Sequence, residues 1–248
     1  MSNAVETKSL SKRYDDQVAL DRVDFQVPEG AVYVLVGANG AGKSSTFKIL
    51  LNLERPTSGN ATILGLDTAD PHARAQIGYV PEQQESPYPW MTCGRLIQHV
   101  AAFYPSWDSS YAEHLIETLD IRMNKKSGAL SKGELRRLQL VIAMAHRPPL
   151  LLLDEPTEGL DPVARKQLLT LISEHLSDSP STVMISTHHL HEVDSLTDYV
   201  GVLKQGKLVA QMQRDELRQH VANQRPDDAR PLPFEDAVVA VLSEENTR

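Results

Sequence analysis

The chain has 248 residues, 41% hydrophobic and 23% charged, enough apolar material for one large domain or two small ones. Its formal net charge of −8 excludes a general attraction to nucleic acid or anionic lipid, and a single cysteine, Cys93, excludes an intrachain disulfide and a cysteine-cluster metal site. No window approaches the roughly 18 consecutive apolar residues of a membrane helix, and Met1 to Leu10 carries no signal-like apolar core, so the mature chain is expected to start here and to be soluble.

Val18 to Val27 alternates apolar and polar residues, which predicts a strand closed by the turn Pro28-Glu29-Gly30. The apolar run Ala31 to Val36 predicts a buried strand. A glycine-bearing loop, Gly37 to Ser44, follows it, and Phe47, Leu50 and Leu51 then recur at helical spacing. Between Ser86 and Ala129 the pattern turns helical, with Leu96, Val100 and Phe103 before Pro105 and with Leu115, Ile116 and Leu119 after it. Two further buried strands are expected, Leu150 to Leu153 ending in Asp154-Glu155 and Thr182 to Ser186 ending in Thr187-His188. Tyr199 to Leu203 and Lys207 to Ala210 flank Lys204-Gln205-Gly206 as a hairpin. Asn223 to Pro233 reads as a linker, and Phe234 to Leu242 as a short amphipathic tail. The basic pairs Lys12-Arg13, Lys125-Lys126 and Arg136-Arg137 read as solvated faces. Short apolar strands separated by helices imply a largely parallel α/β sheet whose ligands bind beyond the carboxyl ends of the strands.

Gly37-Ala38-Asn39-Gly40-Ala41-Gly42-Lys43-Ser44 fits Gly-x-x-x-x-Gly-Lys-Ser in the strand-to-helix context that a phosphate loop requires. Its glycines let backbone N–H groups and the helix N-terminus approach an anion. Lys43 is placed to reach the β and γ phosphates, and Ser44 to offer its hydroxyl to Mg²⁺. At the end of the Leu150 strand, Asp154 is expected to reach Mg²⁺ through water and Glu155 to orient and deprotonate an attacking water. Leu130-Ser131-Lys132-Gly133-Glu134 reads as a capping box, Ser131 with Glu134, opening a helix that runs to about Ala145.

In this order the motifs resemble those of the ABC (ATP-binding cassette) nucleotide-binding subunit, over roughly Val5 to Ala210. The diagnostic segment, Leu130 to Glu134, is similar to the family signature Leu-Ser-Gly-Gly-Gln, with Lys132 and Glu134 as departures. The resemblance implies an α/β fold: a P-loop NTPase ABC cassette with a largely parallel sheet core, an antiparallel β subdomain and a helical subdomain. The ATPase domain would span 1–212, with the helical part inserted at about 86–148, and a linker and tail would fill 213–248.

Function follows from the same resemblance. ATP and Mg²⁺ are the implied cofactors, with Tyr14 stacking on adenine, Gly37 to Ser44 and the adjacent Ser45 around the phosphates, and Ser44, Glu82 and Asp154 toward the metal. Glu82 stands where the family has glutamine. His188 is expected on the γ-phosphate, with His189 pointing elsewhere, while His99, His114, His146 and His175 read as structural. Ser131 and the Gly133 backbone would face the γ-phosphate of a second copy. Lys132 would add a cation there, and Glu134 would bring negative charge toward the anion. Asp161, in Gly159-Leu160-Asp161-Pro162, would lie at the dimer interface and also cap a helix. The implied partners are a homo- or heterodimeric cassette and a transmembrane permease subunit gripped by the helical insertion, on the inner face of the cell membrane. The tail Phe234-Glu235-Asp236-Ala237-Val238 resembles the end of exporter-type subunits. The alternative is a soluble non-transport ABC ATPase, or a regulatory ATP-binding module with weak turnover.

Overall fold

The computed structural model describes residues 2–83, 85–178, 181–223 and 233–244. The chain divides into two compact units, Met1–Arg74 with Thr182–Arg248, and Ala75–Ser181.

The first unit opens on β1 (Asn3–Tyr14) and β2 (Gln17–Pro28). They pair antiparallel, from Val5 opposite Val27 to Tyr14 opposite Gln17. β3 (Val32–Val36) is buried at all of its positions, α1 (Lys43–Leu50) follows the glycine loop, and β4 (Ser58–Ile63), β5 (Leu66–Asp67) and the short α2 (Pro71–Ala75) come next. The antiparallel sheet runs β2-β1-β4-β5. The sequence showed β2 clearly but not β1 or β4, because bulges interrupt the β1 pairings and Ser9 lies in the left-handed region, so strict alternation is lost.

The second unit holds β6 (Ile77–Val80), α3 (Cys93–Ala101), α4 (Ser109–Thr118), α5 (Lys132–Met144), β7 (Leu150–Asp154) and α6 (Pro162–Asp178). Pro105 sits between α3 and α4, where a helix break was expected. Each of these two helices starts on a side-chain cap. Thr92 accepts from the Arg95 N–H, and Asp108 from the Tyr111 N–H. Leu96 and Ile97 of α3 and Leu115 of α4 are buried, α5 packs on β6, and β6 runs parallel to β7 with Val80 opposite Leu153. The helical insertion read from the sequence lies in this unit, which also takes in β6, β7 and α6.

The chain completes the first unit with β8 (Thr182–Thr187), α7 (Leu190–Val193), β9 (Tyr199–Lys204), β10 (Lys207–Gln213), α8 (Arg214–Asn223) and α9 (Phe234–Glu244). Here the strands lie in the order β10-β9-β3-β8, with β3 parallel to both β8 and β9. Flanked on both sides and buried throughout, β3 reads as a continuous apolar run rather than an alternating one. β9 and β10 form the expected hairpin. α8 was not anticipated. α9 matches the amphipathic tail and buries Phe234, Ala237 and Val238, while the proline-rich stretch 224–232 lies outside the described residues. No helix among the described residues is long and apolar enough to cross a membrane.

Candidate functional site

In the first unit, parallel register decides where the chemistry emerges. Val36 of β3 pairs with Thr187 of β8, so Gly37 and His188, the next residues on each strand, leave the sheet side by side at its carboxyl edge, about one strand spacing apart.

The loop beyond Gly37 is shaped by close backbone approach. A Cβ at Gly37 would lie 2.5 Å from the Leu203 carbonyl oxygen, which fixes glycine at the mouth of the loop. Gly42 has φ +111°, and a Cβ there would meet the Ala19 carbonyl oxygen at 2.6 Å, so a side chain is excluded both by strain and by space. The hairpin turn behind the loop ties it down: the Gly206 N–H donates to the Ala41 carbonyl at 3.0 Å. Gly42 is the N-cap of α1 and supplies no side-chain acceptor, and the first turn carries no acidic residue. Such a helix end presents N–H groups and the positive end of the dipole to an anion.

Lys43 is buried, and its ammonium donates to the Gly37 carbonyl at 2.7 Å, across the loop it would share with a phosphate. Ser44 and Ser45 are half-buried, and Ala38, Asn39 and Gly40 form the exposed rim. Tyr14 reaches this region from the end of β1. Burial, with Glu54 beside its hydroxyl, pushes the phenol pKa up. Lys12 lies 4.8 Å above its ring. His188 is exposed. His189 does not point elsewhere as expected, because its ring centroid stands 3.9 Å from that of His188. The cause is the turn after β8, where the His189 N–H donates to the Thr187 hydroxyl at 3.0 Å and ends the strand alternation.

The second unit repeats the device. Val80 opposite Leu153 places Pro81-Glu82 and Asp154-Glu155 beside one another at the ends of β6 and β7. Asp154 and Glu155 are buried, at 3% and 4% exposure. Glu155 has φ +46°, a strained left-handed conformation that turns it off the strand line and is the kind of cost that functional sites carry. Glu82 is exposed. Its carbonyl, with that of Pro81, accepts hydrogen bonds from the Arg136 guanidinium, the Glu82 bond being 3.1 Å. Arg136 is fully buried, so the reading of Arg136-Arg137 as a solvated pair is corrected: α5 aims Arg136 inward to fasten the Glu82 turn. Desolvation pulls its pKa down while Glu158 and Asp154 oppose the shift. Leu140 and Ala143, four and seven residues on, are also buried, and that helical spacing was the signal available in the sequence.

Ser131 caps α5 as expected, and the full capping box is present: the Glu134 N–H donates to Ser131 Oγ at 3.3 Å and the Ser131 N–H to the Glu134 carboxylate at 2.7 Å. Lys125, read as solvated, donates to both Glu134 oxygens at 3.0 and 2.8 Å, and Arg122 stands 3.7 Å away. This also corrects the expectation for Glu134. Its charge is neutralised within its own unit, and the Lys125 ammonium and the Ser131 N–H lower its pKa to about 2. A Cβ at Gly133 would lie 3.7 Å from the Gly159 carbonyl oxygen, so the structure brings the Ser131 turn and the Gly159-Leu160-Asp161 loop together. Asp161 caps α6, accepting from the N–H groups of Val163 and Ala164 at 2.9 and 3.0 Å.

Of the histidines expected to be structural, His146 and His175 are buried and His99 is half-buried, whereas His114 is exposed. His146 is buried against Tyr104, with centroids 4.0 Å apart, and desolvation lowers its pKa to about 4. His175 is buried beside the Tyr111 hydroxyl, 3.3 Å away. No group of three or more His, Cys, Asp or Glu able to hold a metal occurs among the described residues.

Residues 20–158 match the sequence model of the family described as "ABC transporter", and residues 124–194 match a second one described as "AAA domain, putative AbiEii toxin, Type IV TA system". The chain is 31% identical to the ABC transporter ATP-binding protein YtrB of Bacillus subtilis (strain 168), covering 87% of this chain and 74% of that protein. It is 32% identical to the bacitracin transport ATP-binding protein BcrA of Bacillus licheniformis, covering 88% and 72%. Among solved structures it superposes on the ATP-binding subunit of an ABC transporter with a TM-score of 0.85, at 29% identity over 96% of this chain and 99% of that one.

Proposed function

Because this chain belongs to the ABC transporter family, we propose that it is an ATP-binding and ATP-hydrolysing subunit that closes on ATP as a dimer and drives a separate transmembrane permease, in the direction of export. The observation that supports this most is the edge shared by the Gly37 loop and His188, where a helix N-terminus without a side-chain cap, a buried lysine and a histidine follow neighbouring parallel strands.

In-line phosphoryl transfer needs positioning and charge neutralisation more than covalent chemistry. Loop amides from Gly37 to Ser45 and the Lys43 ammonium would hold the β and γ phosphates, Tyr14 would stack on adenine, and His188 would hydrogen-bond the γ-phosphate. Glu155 would orient the attacking water and take its proton. The Ser44 hydroxyl and the Asp154 and Glu82 carboxylates are oxygen donors of the kind Mg²⁺ takes, and phosphate oxygens and water would complete its shell. The metal would supply charge neutralisation on the phosphates. Ser131, Gly133 and Asp161 would serve the second copy, so that binding joins two cassettes and hydrolysis parts them. BcrA is named for bacitracin transport, which supports a transport role for this chain. Attachment to the inner face of the membrane would run through the permease, and the acidic chain offers nucleic acid no general attraction.

The test is Glu155→Gln. ATP binding is expected to persist while steady-state hydrolysis falls by about 100-fold or more, and gel filtration with ATP is expected to show a trapped dimer. Unchanged turnover, or a monomer at saturating ATP, refutes the assignment.

A further inference from the structure

Glu134 stands within the first turn of α5, on the helix end proposed to meet a triphosphate, and an unbalanced carboxylate there would repel it. The structure balances it. One oxygen accepts from the Ser131 N–H at 2.7 Å, and the Lys125 ammonium lies 2.8 and 3.0 Å from the two oxygens. The pair is well shielded, with side-chain exposures of 28% for Lys125 and 16% for Glu134, so solvent screens it less than an ordinary surface pair.

Lys125 is also well anchored. Its N–H donates to the Arg122 carbonyl at 2.9 Å, its carbonyl accepts from the Cys93 N–H at 2.9 Å, and the Met123 carbonyl accepts from Gly94 at 3.0 Å. Thr92 and Lys126 form an antiparallel bridge. The ammonium therefore extends from a segment whose backbone is stitched to the first turn of α3, so only the lysine side chain itself has to be ordered to hold the pair.

We propose that Lys125 is a positioning residue for ATP hydrolysis: it cancels the charge of Glu134 and holds that carboxylate on the cap, so that the Ser131 turn can accept the γ-phosphate. The proposal rests on the reading of Ser131 as the phosphate-facing turn. It assigns a role to a lysine outside the signature and accounts for the signature's glutamate. Removing the lysine alone leaves Glu134 only the longer pair with the more exposed Arg122, 3.7 Å away, so its negative charge toward the anion is less well balanced. Removing both charges leaves no such imbalance, because glutamine closes a capping box as well as glutamate does.

Steady-state ATPase rates and ATP affinity of the purified chain, measured for Lys125→Met, Glu134→Gln, the double variant and Ser131→Ala, test this. Lys125→Met is expected to lower kcat by about tenfold, while ATP affinity of the single subunit changes by less than about twofold. The double variant is expected to recover to within about threefold of the parent. A double variant as slow as Lys125→Met overturns the proposal, as does Lys125→Met at the parental rate while Ser131→Ala is slow. Ser131→Ala at the parental rate overturns instead the reading beneath it. Thermal melts accompany each rate, and Lys125→Gln repeats the experiment if the methionine variant does not fold.

Discussion

The two helix N-termini proposed to meet ATP are built in opposite ways. At α1 the chain removes side chains: Gly37 and Gly42 stand where a Cβ would strike the carbonyls of Leu203 and Ala19, and no side chain caps the helix. At α5 it adds them. Ser131 and Glu134 cap each other, Lys125 clamps Glu134, and Arg136 reaches back to the carbonyls of Pro81 and Glu82. The first end has no side chain capping its N–H groups, whereas the second caps part of its own and holds a fixed shape. In the proposed cycle the first grips ATP throughout, and the second needs only to be correctly shaped when the partner copy arrives.

The largest expected effect breaks the first end. Gly42→Ala places a methyl group where φ is +111° and where the nearest heavy atom is a backbone oxygen 2.6 Å away. The loop must move, and the amides lose their common target. ATP affinity by fluorescent nucleotide titration is expected to fall by about 100-fold or more, with turnover lost in parallel. Binding within about threefold of the parent would show that the loop does not depend on this geometry.

The same contrast explains what could be read before the fold was known. A site made by deleting side chains leaves a local record, so Gly37 to Ser44 stood out beside its buried strand, and Asp154, Glu155 and His188 followed from strand ends of the same type. A site made by pairing side chains leaves a scattered one. Lys125 and Glu134 are nine residues apart in sequence, and Arg136 bonds carbonyls more than 50 residues away. Each lysine or arginine, taken with its basic neighbour, has the appearance of an ordinary solvated face. The strands divide similarly. β3, β7 and β8 are short and buried on both sides, which sequence shows as uninterrupted apolar runs, whereas β1 is bulged and carries exposed Lys8, Arg13 and Tyr14. α8 escaped notice because Leu217 and Val221 are the only large apolar residues described as buried in it.

The second prediction sharpens the contrast at α5. Arg136→Lys keeps the charge but replaces the longer planar fork with a compact ammonium on a shorter reach, which does not match the paired geometry by which the guanidinium holds the carbonyls of Pro81 and Glu82. Leaving one part-buried carbonyl poorly paired costs up to about 1 kcal/mol. Urea unfolding is expected to show a loss of that size, with ATP affinity retained because the α1 end is untouched. Equal stability of the two proteins would remove Arg136 from the account of how the Glu82 turn is held.

The smallest effect concerns acid. The glycine turn at α1 carries no carboxylate of its own, whereas the cap at α5 depends on Glu134, whose pKa is lowered from 4.5 to about 2, first by the bond from Lys125. With the folded value below the unfolded one, the carboxylate contributes stability that is fully present above about pH 4.5 and fades as pH falls toward about 2. Lys125→Met removes the leading cause of the shift, so the carboxylate should titrate nearer its ordinary range and give up its contribution at higher pH. Glu134→Gln has no such step. Thermal melts of the three proteins between pH 3 and pH 6 are therefore expected to diverge as pH falls, the lysine variant losing its Glu134 contribution before the parent does. Identical pH profiles for the parent and Lys125→Met would mean that Lys125 does not hold the carboxylate in its ionised form, and the α5 end would then rest on the capping box alone.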